Sequence, residues 1–312
     1  MDIRDLRYFV TIVEEGSFSR AALRLRIAQP ALSVKVRKLE AYLKTQLLLR
    51  GPHGVKPTEA GKLLLLRARA IVADLSRAEA EIRSLGHQPS GTVRIGLPGT
   101  ISGILSVPLI ARTRKNYPEI KIIISEAMSG FVREWLNEGR VDMAILYMDK
   151  SEPSIVSTPL LREELVVLLP KEASLKVLNA RDALLNMPLI LPTITHGLRN
   201  MVEHKLRMMN LFSDPAIEVD SYSSIKDLVA NGYGCSILPH HAISGDVASG
   251  KLAYVGFDGS PIWRSAHLVH HSSRPMTSAN LAVLDNLIST VDDLINSKIW
   301  EGAERLCQSK LA

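Results

Sequence analysis

Seven apolar residues, Leu64, Ala68, Ile71, Leu75, Ala78, Ile82 and Leu85, follow one another at spacings of four and three without a break. Only a helix gathers such a series onto one stripe. The spacing predicts a single helix from Thr58, whose hydroxyl can cap it, to Leu85, about three heptads long. Small residues at 68 and 78 would let a neighbouring backbone come close. The stripe is narrow and flanked by Arg67, Arg69, Asp74, Arg77, Glu81 and Arg83, so it predicts pairing with a second helix, a dimerisation seam. The blander alternative is a helix lying on its own domain. In either case this rod divides the 312 residues into unlike parts, and 46% hydrophobic residues supply a core for two or three domains.

Before the rod the chain reads as short helices and one hairpin. Leu6, Phe9, Val10 and Val13 recur at helical spacing until Gly16, and Ser17 or Ser19 can cap a second helix with Ala21, Ala22 and Leu25. After the tight link Ile27-Ala28-Gln29, Pro30 suits the first position of a third helix. Leu32, Val36, Leu39 and Leu43 fall on one face of it, leaving Pro30, Val34, Arg37 and Lys38 pointing away, with Gln29 and Ser33 on the rim. Leu47 to Arg50, a Gly51-Pro52-His53-Gly54 turn and Val55 to Pro57 predict two short strands. Charge sharpens the picture. The net charge of +6 is carried by residues 1–90, with 16 Lys/Arg against 9 Asp/Glu; residues 20–56 hold nine basic side chains and one acidic one, Glu40. A helix-turn-helix with a polar, basic second helix has the geometry to enter a major groove. Arg37 and Lys38 would reach phosphate or guanine, Gln29 and Ser33 base edges, and Pro30 a thymine methyl. Arg50, His53 and Lys56 would follow the flanking backbone as a wing. The partner implied is double-stranded DNA; a merely solvated basic face is the competing reading.

Beyond the rod, Gly86 to Gly91 has linker composition, and strand-like runs (93–97, 120–124, 143–146, 165–169, 189–191, 235–238) alternate with helical patterns up to a last helix over 277–300. This predicts an α/β domain with a mostly parallel sheet, or two of them. The loop Gly96 to Gly103 joins a strand to a helix, where free N–H groups and the Thr100 and Ser102 hydroxyls could hold an anionic group of a small molecule. Ser129 follows the next strand, and Thr193 and His196 open a helix that would face them. Helix capping alone would also account for Thr100 and Ser129. His240-His241 and His270-His271 are adjacent pairs whose rings diverge, so no metal is expected. With no nucleophile elbow, H-E-x-x-H or phosphate loop, neither a cofactor nor catalysis is expected. Cys235 reads as core, and with Cys307 makes no disulfide framework. No signal pattern or bilayer-length apolar run is present, so a cytoplasmic protein with no membrane partner is expected.

The motifs Phe9-x-x-x-x-Glu14, Gly16-Ser17-Phe18-Ser19-x-Ala21-Ala22, Ala28-Gln29-Pro30-Ala31-Leu32-Ser33, Leu39-Glu40 and Pro57-Thr58-x-Ala60-Gly61 closely resemble the winged helix-turn-helix of LysR-type transcriptional regulators. The resemblance runs the whole chain. It implies a DNA-binding head (1–58), a linker and dimerisation helix (59–89), and an effector-binding domain (90–312) similar to periplasmic binding proteins. Its two α/β lobes would be about 90–161 with 268–300, and about 162–267, joined by crossover strands near 161 and 267. Gly232-x-Gly234-Cys235-x-Ile237-x-Pro239 is similar to that family's second-lobe stretch. Within the family, the segments 27–33, 54–61, 96–100, 139–144 and 196–199 look most like the nitrogen assimilation control branch. Lys35 stands where the family usually has Gln, and Leu48 where it usually has Phe. The function implied is an effector-modulated, promoter-binding regulator working as a homodimer or homotetramer. The alternative is a small-molecule binding protein or enzyme whose basic N-terminal region is only structural.

Overall fold

The computed structural model describes residues 1–52, 54–84, 88–148, 152–175, 177, 179–257, 259 and 261–306. His53, Leu85, the Gly86-His87 part of the linker and Cys307 lie outside the described residues.

The head is built from α1 (Ile3–Glu15), α2 (Phe18–Leu25), α3 (Gln29–Leu43) and a hairpin of β1 (Leu48–Gly51) and β2 (Gly54–Pro57). Local chemistry sets each boundary. Asp2 and Asp5 form a reciprocal capping box at the start of α1, and Gly16 ends it in the left-handed region. Of the two candidate serines, Ser17 caps α2, accepting from the Arg20 N–H. Phe9, Ile12, Ala21, Leu32, Val36, Leu39, Leu47 and Leu48 close a common core. Leu48, the departure from the family's usual Phe, is therefore a packing residue. Thr58 caps α4 (Glu59–Ser84), its hydroxyl accepting from the Gly61 N–H and donating to the Gln46 carbonyl. This brings the helix start so close to the hairpin that a β-carbon on Gly61 would overlap the Leu47 carbonyl oxygen.

The larger unit begins with β3 (Gly91–Pro98), α5 (Gly99–Asn116), β4 (Ile120–Ala127), α6 (Ser129–Asn137) and β5 (Met143–Tyr147). The long β6 (Ile155–Pro170) leads to α7 (Ala180–Asn186), β7 (Ile190–Leu191), α8 (Gly197–Met208), β8 (Ile217–Glu218), α9 (Tyr222–Ala230), β9 (Ser236–Pro239), α10 (Ser244–Ala248) and β10 (Leu252–Val255). The return runs through β11 (Ile262–His271), α11 (Ser278–Asn296) and β12 (Ala303–Arg305). Strands order as β10-β6-β11-β5-β3-β4, with β9 and β12 also on β6. β3 pairs in parallel with β4 and β5, but every pairing of β6 and β11 is antiparallel. The expectation of a mostly parallel sheet is corrected on this point. β6 and β11 cross between two lobes, and two strands running in opposite senses through one hinge must pair antiparallel. Residues 161 and 267 both lie on these strands, with a bulge between Ala266 and His267.

Lobe I sandwiches its sheet between α5 with α11 on one side and α6 on the other, around separate apolar clusters. Lobe II packs α7, α8 and α9 on the second half of β6 with β7 and β9. The last helix stops at Asn296, four residues before the predicted end. Lys298 takes a left-handed conformation (φ 58°), which turns Trp300 back into the core. No described helix is long and apolar enough to cross a membrane.

Candidate nucleic-acid interface and ligand cleft

On α3, Leu32, Val36 and Leu39 are buried while Gln29, Pro30, Val34, Arg37 and Lys38 are exposed. The two faces that the apolar spacing predicts are thus separated. Ser33 is half-buried on the rim, and its hydroxyl accepts from Arg50 Nη1 at 3.2 Å. The same guanidinium lies 4.3 Å over the Phe18 ring, so Arg50 ties the hairpin to α2 and α3. Lys56 is exposed on β2. Lys35, the other departure from the family, leans back to within 4.0 Å of Asp5. Sequence reasoning did not find what fixes the hairpin against α3. The Glu40 carboxylate accepts from the N–H groups of Leu47 and Leu48, at 2.8 and 3.2 Å. An acidic residue alone in a basic segment was the available signal.

The seam on α4 divides in two. Ala68 is buried within the chain and Leu64 packs on the head, so these two belong to the helix's contact with its own domain. For Ala68, which has no exposed surface, the assignment to a partner is corrected, because α1 already covers that side of α4; Leu64 is half-buried. Leu75 is half-buried, whereas Ile71, Ala78 and Ile82 are exposed, Ile82 by 69%. The same helix is fastened to lobe I. Arg69 reaches Glu138 at 2.9 Å, and Arg77 reaches Asp142 at 3.2 Å.

Between the lobes lies a cavity of about 370 Å³, onto which the first turns of α5, α6, α8 and α9 open. Ser129 lines it, as does His196. The imidazole of His196 is held by two contacts. Its Nδ1 accepts from the Leu198 N–H at 3.2 Å, so its Nε2 carries the proton and faces the Tyr222 hydroxyl at 3.2 Å. Burial holds its pKa below the usual imidazole range. Thr100 sits deeper, beside a second cavity floored by His241 and Tyr222. Thr193 lines none of the described cavities; its N–H and hydroxyl both bond Asp220, which does line the cleft. Ser102 is not brought to the site either, since its hydroxyl pairs with Ser106 one turn along α5. Glu126, Asp220 and Tyr222 are cleft residues that sequence reasoning missed, because no local pattern marks a strand end as facing another lobe.

Beneath the cleft a buried polar network joins the lobes. Glu163 on β6 lies opposite Arg264 on β11, whose Nε donates to it at 2.9 Å. Tyr147 Oη and Trp300 Nε1 donate to the same carboxylate at 2.7 and 3.0 Å, and Arg264 Nη2 donates to the Thr100 hydroxyl at 3.0 Å. Burial alone would raise the Glu163 carboxyl. Arg264, His241 and the two donors outweigh it and hold the group below its ordinary value. His241 donates from Nε2 to the Thr100 carbonyl at 3.1 Å, while its Nδ1 lies 3.1 Å from Glu163 without a hydrogen bond. Burial lowers its pKa despite that carboxylate. Its neighbour His240 packs instead on the Tyr254 ring at 4.5 Å, so the two rings do diverge. Cys235 is buried immediately before β9, and burial pushes its thiol up to about 12, which disfavours the thiolate.

Known proteins share this arrangement. Residues 3–62 match the family described as bacterial regulatory helix-turn-helix protein, lysR family, and residues 86–292 match the LysR substrate binding domain. The nitrogen assimilation regulatory protein nac of Klebsiella aerogenes is 33% identical over 293 residues, covering 93% of this chain and 96% of its own. Its namesake in Escherichia coli is 35% identical over 243 residues, covering 78% and 79%. Among solved structures, full-length OxyR from Pseudomonas aeruginosa, with a cysteine replaced by aspartate, has 25% identity and a TM-score of 0.70, covering 93% of this chain and 97% of that one.

Proposed function

The chain belongs to the LysR family of DNA-binding transcriptional regulators, and from that premise we propose that Gln29, Pro30, Ser33, Val34, Arg37 and Lys38 read a promoter's major groove. Arg50, His53 and Lys56 follow the adjacent backbone. The observation that carries this reading is the division of α3 into a buried apolar face and an exposed polar, basic one. Residues 1–58 form the head, 59–89 the linker and 90–312 the effector domain, with lobes of about 90–161 plus 268–300 and about 162–267. Two copies pair through Ile71, Leu75, Ala78 and Ile82, and Leu85 continues that stripe; such dimers associate further into tetramers. Two linked heads raise each other's effective concentration on a paired site. The protein works in the cytoplasm, where promoters are, and has no catalytic activity.

The effector occupies the interlobe cleft, with Ser129 and His196 contacting it and Thr100 beneath. An anionic group is favoured by the N-terminal ends of α5, α6 and α9. Glu126 and Asp220 on the same wall favour a cation, so a small zwitterion satisfies both fields. Its binding changes the interlobe angle and, through α4, the presentation of the heads.

A gel shift with the upstream DNA of the protein's own gene tests the reading. Arg37→Ala should weaken retardation by about 1–3 kcal/mol, as expected for a lost base contact, with the circular dichroism unchanged. Lys56→Ala should weaken binding to all sequences alike and reduce the salt slope by about one. A folded protein that retards no upstream DNA at low salt would leave the small-molecule binding protein or enzyme as the better account.

A further inference from the structure

A third cavity, of about 450 Å³, lies away from the cleft, where the head and α4 meet lobe I. Its wall is strongly basic. Arg7 on α1, Arg24 on α2 and Arg69 on α4 face it from one side; Arg94 on β3 and Arg140 before β5 face it from the other. Three of these guanidiniums are partly neutralised. Arg24 pairs with Glu15 at 2.8 Å, Arg69 with Glu138 at 2.9 Å, and Arg140 lies 3.9 Å from Glu138 and 5.0 Å over the Trp135 ring. Arg7 and Arg94 have no side-chain hydrogen bond or ion pair among the described residues. Arg69 adds a buried Nε–H that makes no hydrogen bond although Glu14 is 3.5 Å away.

Five guanidiniums from two domains therefore face one partly enclosed space, with Glu14 the carboxylate on its wall. Facing cations repel, and more strongly where the surrounding protein lowers the effective dielectric. An oxyanion between them would reverse the sign of that interaction, and the planar fork of arginine is suited to bind it through two parallel hydrogen bonds. Ser125 places a hydroxyl on the same wall. We infer that this cavity is an anion-binding site, separate from the effector cleft, that takes a small multivalent oxyanion of the phosphate or polycarboxylate type between Arg7 and Arg94. The two arginines belong to different domains, so the bound anion clamps the head against lobe I and sets the direction in which α3 is presented.

Isothermal titration calorimetry on the full chain tests this, with pyrophosphate and citrate as separate probes against sodium chloride of matched ionic strength. Saturable binding of either probe is expected, and the probe that binds identifies phosphate-like or carboxylate-like chemistry. Arg7→Gln, Arg94→Gln and the double variant should each weaken it, the double by about tenfold or more. Neither side chain has an ion pair or side-chain hydrogen bond to lose among the described residues, and neither lies on α3 or the hairpin, so melting temperature and DNA retardation at low salt should be kept. No saturable heat with either probe, or equal affinity in the double variant, would overturn the site. Displacement of the probe by a short DNA duplex, with duplex affinity lost in the double variant, would overturn it too, by assigning these arginines to the DNA surface.

Discussion

Glu163 and His241 show how a single side chain can join two lobes. Both side chains are buried, and each contacts groups from the other side of the hinge. Burial keeps His241 neutral in the folded chain, whereas the unfolded chain protonates it at the ordinary value of 6.5. A depressed imidazole contributes stability that is fully present above 6.5 and is lost as pH falls through that value towards the lower folded one. His196 acts in the same direction. The melting temperature should therefore fall between about pH 7.5 and 5.5, before carboxylates titrate. In His241→Gln, which keeps an N–H for the Thr100 carbonyl, that fall should be shallower; equal slopes would remove His241 from the account. None of this network was legible in the sequence. Glu163 and Arg264 are 101 residues apart, and only the register of two crossing strands makes them partners. The outward orientation of Arg37 and Lys38 was legible, because the helical period alone decides which way they face.

At the scale of elements, the close approach of α4 to the hairpin explains one motif in physical terms. Pro57-Thr58-x-Ala60-Gly61 ends a strand, caps a helix and leaves no room for a side chain at its last position, beside the Leu47 carbonyl. Gly61→Ala should destabilise the head by about 1–3 kcal/mol, the usual range for overpacking, and displace the hairpin. Urea unfolding followed by circular dichroism would show the head's transition at lower denaturant, with weaker DNA retardation; an unchanged midpoint would mean that the helix start shifts freely. Helices α1, α3 and α4 were legible because each carries its own apolar periodicity. Endings were less so. Nothing in Ser297-Lys298-Ile299 announces a left-handed residue, since the usual signal is glycine. Likewise the seam looked uniform along α4, because spacing records which residues share a stripe and not which part of the stripe α1 already covers.

For the molecule as a whole, the partition of charge matches the partition of structure. The basic excess lies in the head, and residues 91–312 carry a net charge of −1. A fragment of residues 90–306 should fold without the head, retard no DNA and gain thermal stability from a zwitterion such as an α-amino acid that binds the cleft. Thermal shift and gel retardation on that fragment check both halves, and a fragment that retards DNA like the full chain would contradict the assignment of the head.

The two crossing strands also order events in time. Lobe I cannot finish its sheet until β11 arrives to lie between β5 and β6, and β11 follows every other strand and helix of lobe II in the chain. During synthesis, then, the rest of lobe II emerges while β5, with its buried Met143, Ala144, Ile145 and Leu146, still presents an unpaired edge. The strand that later serves as the hinge is first the piece that seals the earlier lobe. The interval before it appears is when the nascent chain is most open to wrong partners.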